Sequence, residues 1–269
     1  TILLNAGAAT TVTVAGNHGV NFTGSTLTNV TTLDASGVVS VGAAAGATAA
    51  QIATAGAVTF SSVVANKAVT VTTGNGADVI NVSSITDTTF LATGATASTV
   101  TTGAGNDTVT GSAGKDVINA GTGNDSIIGG AGNDTIDGGA GNDVINGGAG
   151  ADLMTAGAGN DTFVMNNADG VGTDSTLAAM DVITDFNANT YGNGTNGAAG
   201  TGANAGDATL WTGDVLRFDV AAGITKVDVS VQSSAADAQI FIQNISDTTT
   251  DTVSAALDSS TGRLYVDLD

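Results

Sequence analysis

The residues in this chain with the means to do chemistry are aspartates, and they recur at a fixed interval. Asp107, Asp116, Asp125, Asp134, Asp143, Asp152 and Asp161 stand nine residues apart, each two positions after a glycine. Carboxylates arrayed this way offer hard oxygen ligands, and the chemistry they suit is capture of a hard cation.

Written in nines from Thr102, the chain reads TGAGNDTVT, GSAGKDVIN, AGTGNDSII, GGAGNDTID, GGAGNDVIN, GGAGADLMT and AGAGNDTFV, seven units without a gap. The fourth position is always glycine: Gly105, Gly114, Gly123, Gly132, Gly141, Gly150 and Gly159. The eighth is always apolar: Val109, Ile118, Ile127, Ile136, Ile145, Met154 and Phe163. Glycines at fixed places let the backbone take φ > 0 and turn tightly, and the three residues that follow suit a short strand whose middle side chain points inward. Positions seven and nine are mixed, as outward strand positions are. Two nonapeptides then close one turn of a flattened coil with a thin core.

In such a coil, residues eighteen apart lie one above another. One column holds Asp107, Asp125, Asp143 and Asp161, and a second holds Asp116, Asp134 and Asp152. Neighbouring strands are about 4.8 Å apart, and two carboxylates at that distance repel by roughly 1 kcal/mol in water and roughly 3.5 at an effective dielectric of 20. Over the five neighbouring pairs this comes to on the order of 5 to 17 kcal/mol, comparable to the whole stability of a domain. A counter-ion is required. Ca²⁺ accepts six to eight oxygens, carboxylate and carbonyl alike, whereas Mg²⁺ demands a tighter octahedron and keeps its water. The GSAGKD stretch is not a phosphate loop, because the glycine required five residues before Gly114 is Val109.

The repeat resembles the GGxGxDxUx motif of the RTX calcium-binding proteins, a parallel β-helix signature. The resemblance implies an all-β fold: a right-handed parallel β-solenoid with a calcium-binding β-roll and a C-terminal β cap. It also implies that each Ca²⁺ sits between successive turns, held by one Asp, the Asp eighteen residues on, and loop carbonyls. About five or more ions are expected. Besides the aspartates, the implied site residues are the turn glycines Gly103, Gly105, Gly114, Gly121, Gly123, Gly130, Gly132, Gly139, Gly141, Gly148, Gly150, Gly157 and Gly159. The fifth position, usually Asn, would supply only backbone, consistent with Lys115 and Ala151 there. A lone matching unit, TGNGADVIN at 73–81, adds Asp78 as a candidate that caps a site with distant ligands.

Composition agrees with a solenoid. Among 269 residues, aromatics are 4% and glycines number 39, so the interior must be narrow. All 25 acidic residues are Asp, and the formal charge of −20 excludes nucleic acid as a partner and favours cations. Cysteine and proline are absent, so metal takes the part that disulfides play elsewhere. No apolar run reaches the length of a membrane span. The start at Thr1 suggests a fragment or a processed form.

Three regions are expected. Residues 1–71, with TTVTVAG, GVVSVG, AVTFSSVV and KAVTVTTG, read as an irregular Thr/Val/Ala-rich β-solenoid, in which AAAGATAAQIATAG is a short helix or a small-residue corner. Residues 72–164 are the β-roll. Residues 165–269 are a capping region in which MDVITDF and GDVLRFD resemble the closing segment of RTX proteins, separated by a Gly/Asn-rich loop at 187–209. There Asp181, Asp185, Asp214 and Asp219 read first as solubilising surface residues and second as a further ion site. TGRLYVDLD resembles the strand that precedes a type I secretion signal.

Catalysis is not expected. The only histidine, His18, lies between Asn17 and Gly19; without Glu there is no H-E-x-x-H site, without Cys no thiol nucleophile, and no G-x-S-x-G elbow occurs. The layout is similar to the RTX-type S-layer proteins of Gram-negative bacteria, which implies an extracellular structural subunit that self-associates into a lattice and leaves by type I secretion. Its anchor, in regions outside this sequence, would be a cell-surface polysaccharide. The alternatives are a calcium-rigidified spacer of an RTX adhesin, or the RTX tail of a secreted enzyme.

Overall fold

The computed structural model describes residues 7–16, 18–25, 27–38, 56–62, 66–86, 94–166 and 181–185, with Leu4, Val64 and the C-terminal strands. The strands are β1 (Thr11–Gly16), β2 (Val20–Asn21), β3 (Thr32–Val38), β4 (Val58–Ser61), β5 (Val69–Thr72), β6 (Val79–Asn81) and β7 (Ser98–Ala104). The repeat block continues with β8 (Thr108–Thr110), β9 (Asp116–Thr122), β10 (Ser126–Ala131), β11 (Thr135–Ala140), β12 (Val144–Ala149), β13 (Leu153–Ala158) and β14 (Thr162–Asn166). Then follow β15 (Asp181–Ile183), β16 (Thr190–Tyr191), β17 (Trp211–Thr212), β18 (Val215–Asp219), β19 (Lys226–Gln232), β20 (Thr252–Asp258) and β21 (Arg263–Leu268). Among the described residues there is no helix, and so none long and apolar enough to cross a membrane.

The strands sort by parity, as a two-strand coil requires. Odd strands β1 to β15 form one parallel sheet in chain order, and even strands β2 to β14 form the other. Within the repeats the register is eighteen residues: Ile118 pairs with Ile136 and Ile136 with Met154 in one sheet, and Val109 with Ile127, Ile127 with Ile145 and Ile145 with Phe163 in the other. These inward side chains are at most 1% exposed, and each isoleucine contributes roughly 1.5–3 kcal/mol. Alternation buries more than the eighth position alone: in β9, Asp116, Ile118 and Ala120 all point inward while Asn119 is exposed.

The same ladders run on into the N-terminal strands with irregular spacing. Val12 lies over Leu33, Leu33 over Val71 and Val71 over Val100. On the other sheet Phe60 pairs with Ile80 and Ile80 with Val109. Phe22 packs edge-on against Phe60, ring centroids 6.3 Å apart at 85°, a favourable aromatic geometry. Of GVVSVG, Gly37 and Val38 belong to β3, and residues 39–42 lie outside the described residues. After the repeats, β18 joins β14 in parallel, while β21 joins β15 antiparallel and is followed in the sheet by β20 and β19. Tyr191 and Trp211 pair through their backbones in a separate two-stranded ribbon. Residues 43–55, the loop at 187–209 apart from β16, and Asp214 lie outside the described residues.

Candidate metal centre

Each site begins as a turn folded by its glycines. The second- and fourth-position glycines take positive φ at Gly103, Gly105, Gly121, Gly123, Gly130, Gly132, Gly139, Gly141, Gly148, Gly150, Gly157 and Gly159. Gly141, at φ 139°, shows the reason: a Cβ there would overlap the carbonyl oxygen of Gly123 in the turn before it. The turns stack with main-chain oxygen facing the space where a side chain would stand. Gly141→Ala is therefore expected to destabilise the folded protein by about 3 kcal/mol or more, from strained φ and overlap together. Denaturant midpoints check it against Asn146→Ala, whose expected cost is below ~0.5 kcal/mol.

The turn positions its aspartate inside the coil. Asp78, Asp107, Asp116, Asp125, Asp134, Asp143, Asp152 and Asp161 are all at most 2% exposed. One carboxylate oxygen of each binds the turn before it: the N–H of Asp107 donates to Oδ1 of Asp125 at 2.7 Å, that of Asp116 to Asp134 at 2.7 Å, and those of Asp125, Asp134 and Asp143 to Asp143, Asp152 and Asp161 at 2.8 Å. The other oxygen, Oδ2, is buried without a hydrogen-bond partner in Asp78, Asp107, Asp125, Asp134 and Asp143. An unmet buried acceptor is costly, and an unmet buried carboxylate more so.

Burial is the first cause of their raised pKa values. It pushes Asp107, Asp125 and Asp143 up to about 6, against the N–H of the preceding turn's Asp, which pulls each down. Asp134 is pushed up to about 9 by burial and then by the charge of Asp152. Asp78 and Asp116 are also raised, again chiefly by burial.

A second ladder runs in the opposite sense outside the coil. Oδ1 of Asn106, Asn124 and Asn142 accepts the N–H of Asn124, Asn142 and Asn160 in the following turn, at 2.9, 2.8 and 2.8 Å. Asn133 does the same for Ala151 at 3.2 Å. The fifth-position side chain thus ties each turn to the next. Asn is common there because it ties adjacent turns.

The register also places Asp78 in a column and adds Asp181, which the nine-residue spacing does not reach. The N–H of Asp78 donates to Oδ1 of Asp107 and that of Asp152 to Oδ1 of Asp181, at 2.7 and 2.8 Å, both across 29 residues rather than 18. Asp78 and Asp181 are therefore members of the two columns, and Asp181 is buried rather than a surface residue. The "D-V-I" of β15 was the available signal, since it repeats the D-x-U of the repeat. Asp185 instead closes the strand edge, accepting the N–H groups of Ala156 and Gly157 at 2.9 and 2.7 Å. One turn departs from the rest: Gly114 lacks the positive φ of its counterparts, and both oxygens of Asp116 are bound by Ser112.

These residues fit a hard cation. Among the described residues no three acidic, imidazole or thiol groups converge as a metal cluster, so an ion here must draw on stacked carboxylates and main-chain oxygens, a donor set that suits calcium. Glycine keeps side chains off Oδ2: a Cβ on Gly138 would come within 2.6 Å of Oδ2 of Asp143, and one on Gly129 within 2.5 Å of Oδ2 of Asp134.

Comparison with known families agrees. Residues 93–127 and 128–163 each match the family model described as RTX calcium-binding nonapeptide repeat (4 copies). The match starts nine residues before Thr102, at a unit reading TGATASTVT, where Ser98 stands in the place of Asp and pairs in register with Asp116. No curated protein and no solved structure matches the chain. Residues 93–163 form a calcium-binding RTX module built as a β-roll.

Proposed function

We propose that this chain is a non-catalytic structural segment of a secreted bacterial surface-layer subunit, folded by extracellular calcium and exported by type I secretion. The observation that carries the reading is the set of buried aspartates Asp78, Asp107, Asp125, Asp134 and Asp143, with one unmet oxygen each. It makes the rod conditional on calcium. Where calcium is scarce the block stays open and exportable; outside, where such modules bind at 10⁻⁴–10⁻³ M, it folds.

The outer face of the even sheet supports self-association. Its outward positions from β4 to β14 carry no charged residue, in a chain of net charge −20, and Val79, Ile128 and Val144 are exposed there by 45, 45 and 39%. The odd sheet carries Asp34 and Asp137 on its outward positions. A neutral face is the one on which like-charged copies approach with least repulsion. The strands β19 to β21 would then cap the odd sheet, and a cell-surface polysaccharide would bind elsewhere in the parent protein. Electron microscopy and light scattering at millimolar calcium test the reading: ordered sheets that Ile128→Asp abolishes while calcium-induced folding persists are expected. Strictly monomeric folded protein would count against assembly and favour a spacer in an adhesin.

A further inference from the structure

The turn that departs from its neighbours is the first full turn on the second edge, residues 111–116. In place of the second-position glycine stands Ser112. Its N–H donates to Oδ2 of Asp116 at 2.6 Å and its hydroxyl to Oδ1 at 2.9 Å, while the N–H of Gly114 donates to the Ser112 hydroxyl at 3.2 Å. The Oδ2 that is unmet in Asp125, Asp134 and Asp143 is met here. One turn earlier the column holds Ser98 rather than a carboxylate. Ile85, after β6, and Ala97, before β7, bond this turn: Ala113 donates to the carbonyl of Ile85 at 3.1 Å, and Ala97 to that of Lys115 at 2.6 Å.

We propose that residues 111–116 form a metal-free cap, in which Ser112 occupies the coordination that calcium takes against Asp125 or Asp134. Asp116 is then a hydrogen-bond acceptor and not a calcium ligand, although its place in the repeat predicts one. The two edges are unequal: on the first the unmet carboxylates begin at Asp78, and on the second at Asp134. The inference rests on the calcium reading of the neighbouring turns. It gives the coil a calcium-independent boundary between its N-terminal strands and its calcium-dependent block.

The test is calcium stoichiometry of the whole chain by equilibrium dialysis, with folding followed by circular dichroism. Asp116→Asn keeps an acceptor for Ser112 and is expected to bind as many ions as the wild type, whereas Asp143→Asn binds fewer. Equal losses in the two variants would overturn the cap. Should Asp116→Asn fail to fold, Ser112→Gly decides: it removes the hydroxyl from Oδ1 and restores the second-position glycine, with which the neighbouring turns leave Oδ2 unmet by the main-chain N–H. One additional ion supports the cap and an unchanged count overturns it. A wild type that binds no calcium removes the calcium reading itself, an outcome distinct from equal losses in a wild type that does bind.

Discussion

In calcium-free buffer, acidification from about pH 8 to about pH 4 is expected to fold the repeat block. Folding raises Asp107, Asp125 and Asp143 from 3.8 to about 6 and Asp134 to about 9. A folded state that holds protons more tightly than the unfolded one is most stable below the unfolded pKa and loses that stability as pH rises through the folded values. The metal-free coil should therefore be most stable below about pH 4, weaken most steeply between about pH 4 and pH 6, and go on weakening toward pH 9. Calcium replaces the protons, so the gain in melting temperature on adding calcium should grow across the same window, and binding at about pH 7 should release protons. Circular dichroism melts with and without calcium at each pH check this. A metal-free chain more stable at about pH 8 than at about pH 4 would refute it.

Asp134→Asn should change stability in opposite directions with and without calcium. The amide keeps an oxygen for the Asp116 N–H and is neutral already, whereas burial and Asp152 oblige the wild-type Asp134 to take up a proton on metal-free folding near neutral pH. Without calcium at about pH 7.5 the variant is expected to be more stable than the wild type by a few kcal/mol, the scale of one carboxylate repulsion at strand spacing. With calcium it should require about a tenfold higher concentration to fold, a loss of ~1.4 kcal/mol. Parallel calcium titrations and melts measure both. An aspartate that served only as a structural acceptor would give the same sign in both conditions.

The period of nine made much of this legible beforehand. With Asp107 to Asp161 in step and an apolar residue two places after each, the two sheets, the eighteen-residue register and the cation chemistry all follow. Excursions of the chain concealed the rest. Asp181 was hidden, and Asp78, legible as a candidate in TGNGADVIN, had no column, because each joins its neighbour across 29 residues where a longer connection intervenes. Ser98 hid a further unit because its defining carboxylate is gone while its glycine and Val100 remain. The inward direction of the aspartates was implicit in the alternation, since positions six and eight share a face. Their burial brings the repulsion toward the low-dielectric end of the range. The Asn106 to Asn160 ladder and the Ser112 seal depend on side-chain reach between turns, which a one-dimensional pattern does not display.

The most direct test of the central claim, that calcium on the aspartate columns is the folding switch, is far-UV circular dichroism during a titration from EGTA to about 10 mM calcium, with magnesium as control. The account predicts a cooperative transition to β structure with calcium and none with magnesium at about pH 7.5. A repeat block already fully folded in EGTA at that pH would contradict it, because the buried carboxylates would then be tolerated without an ion.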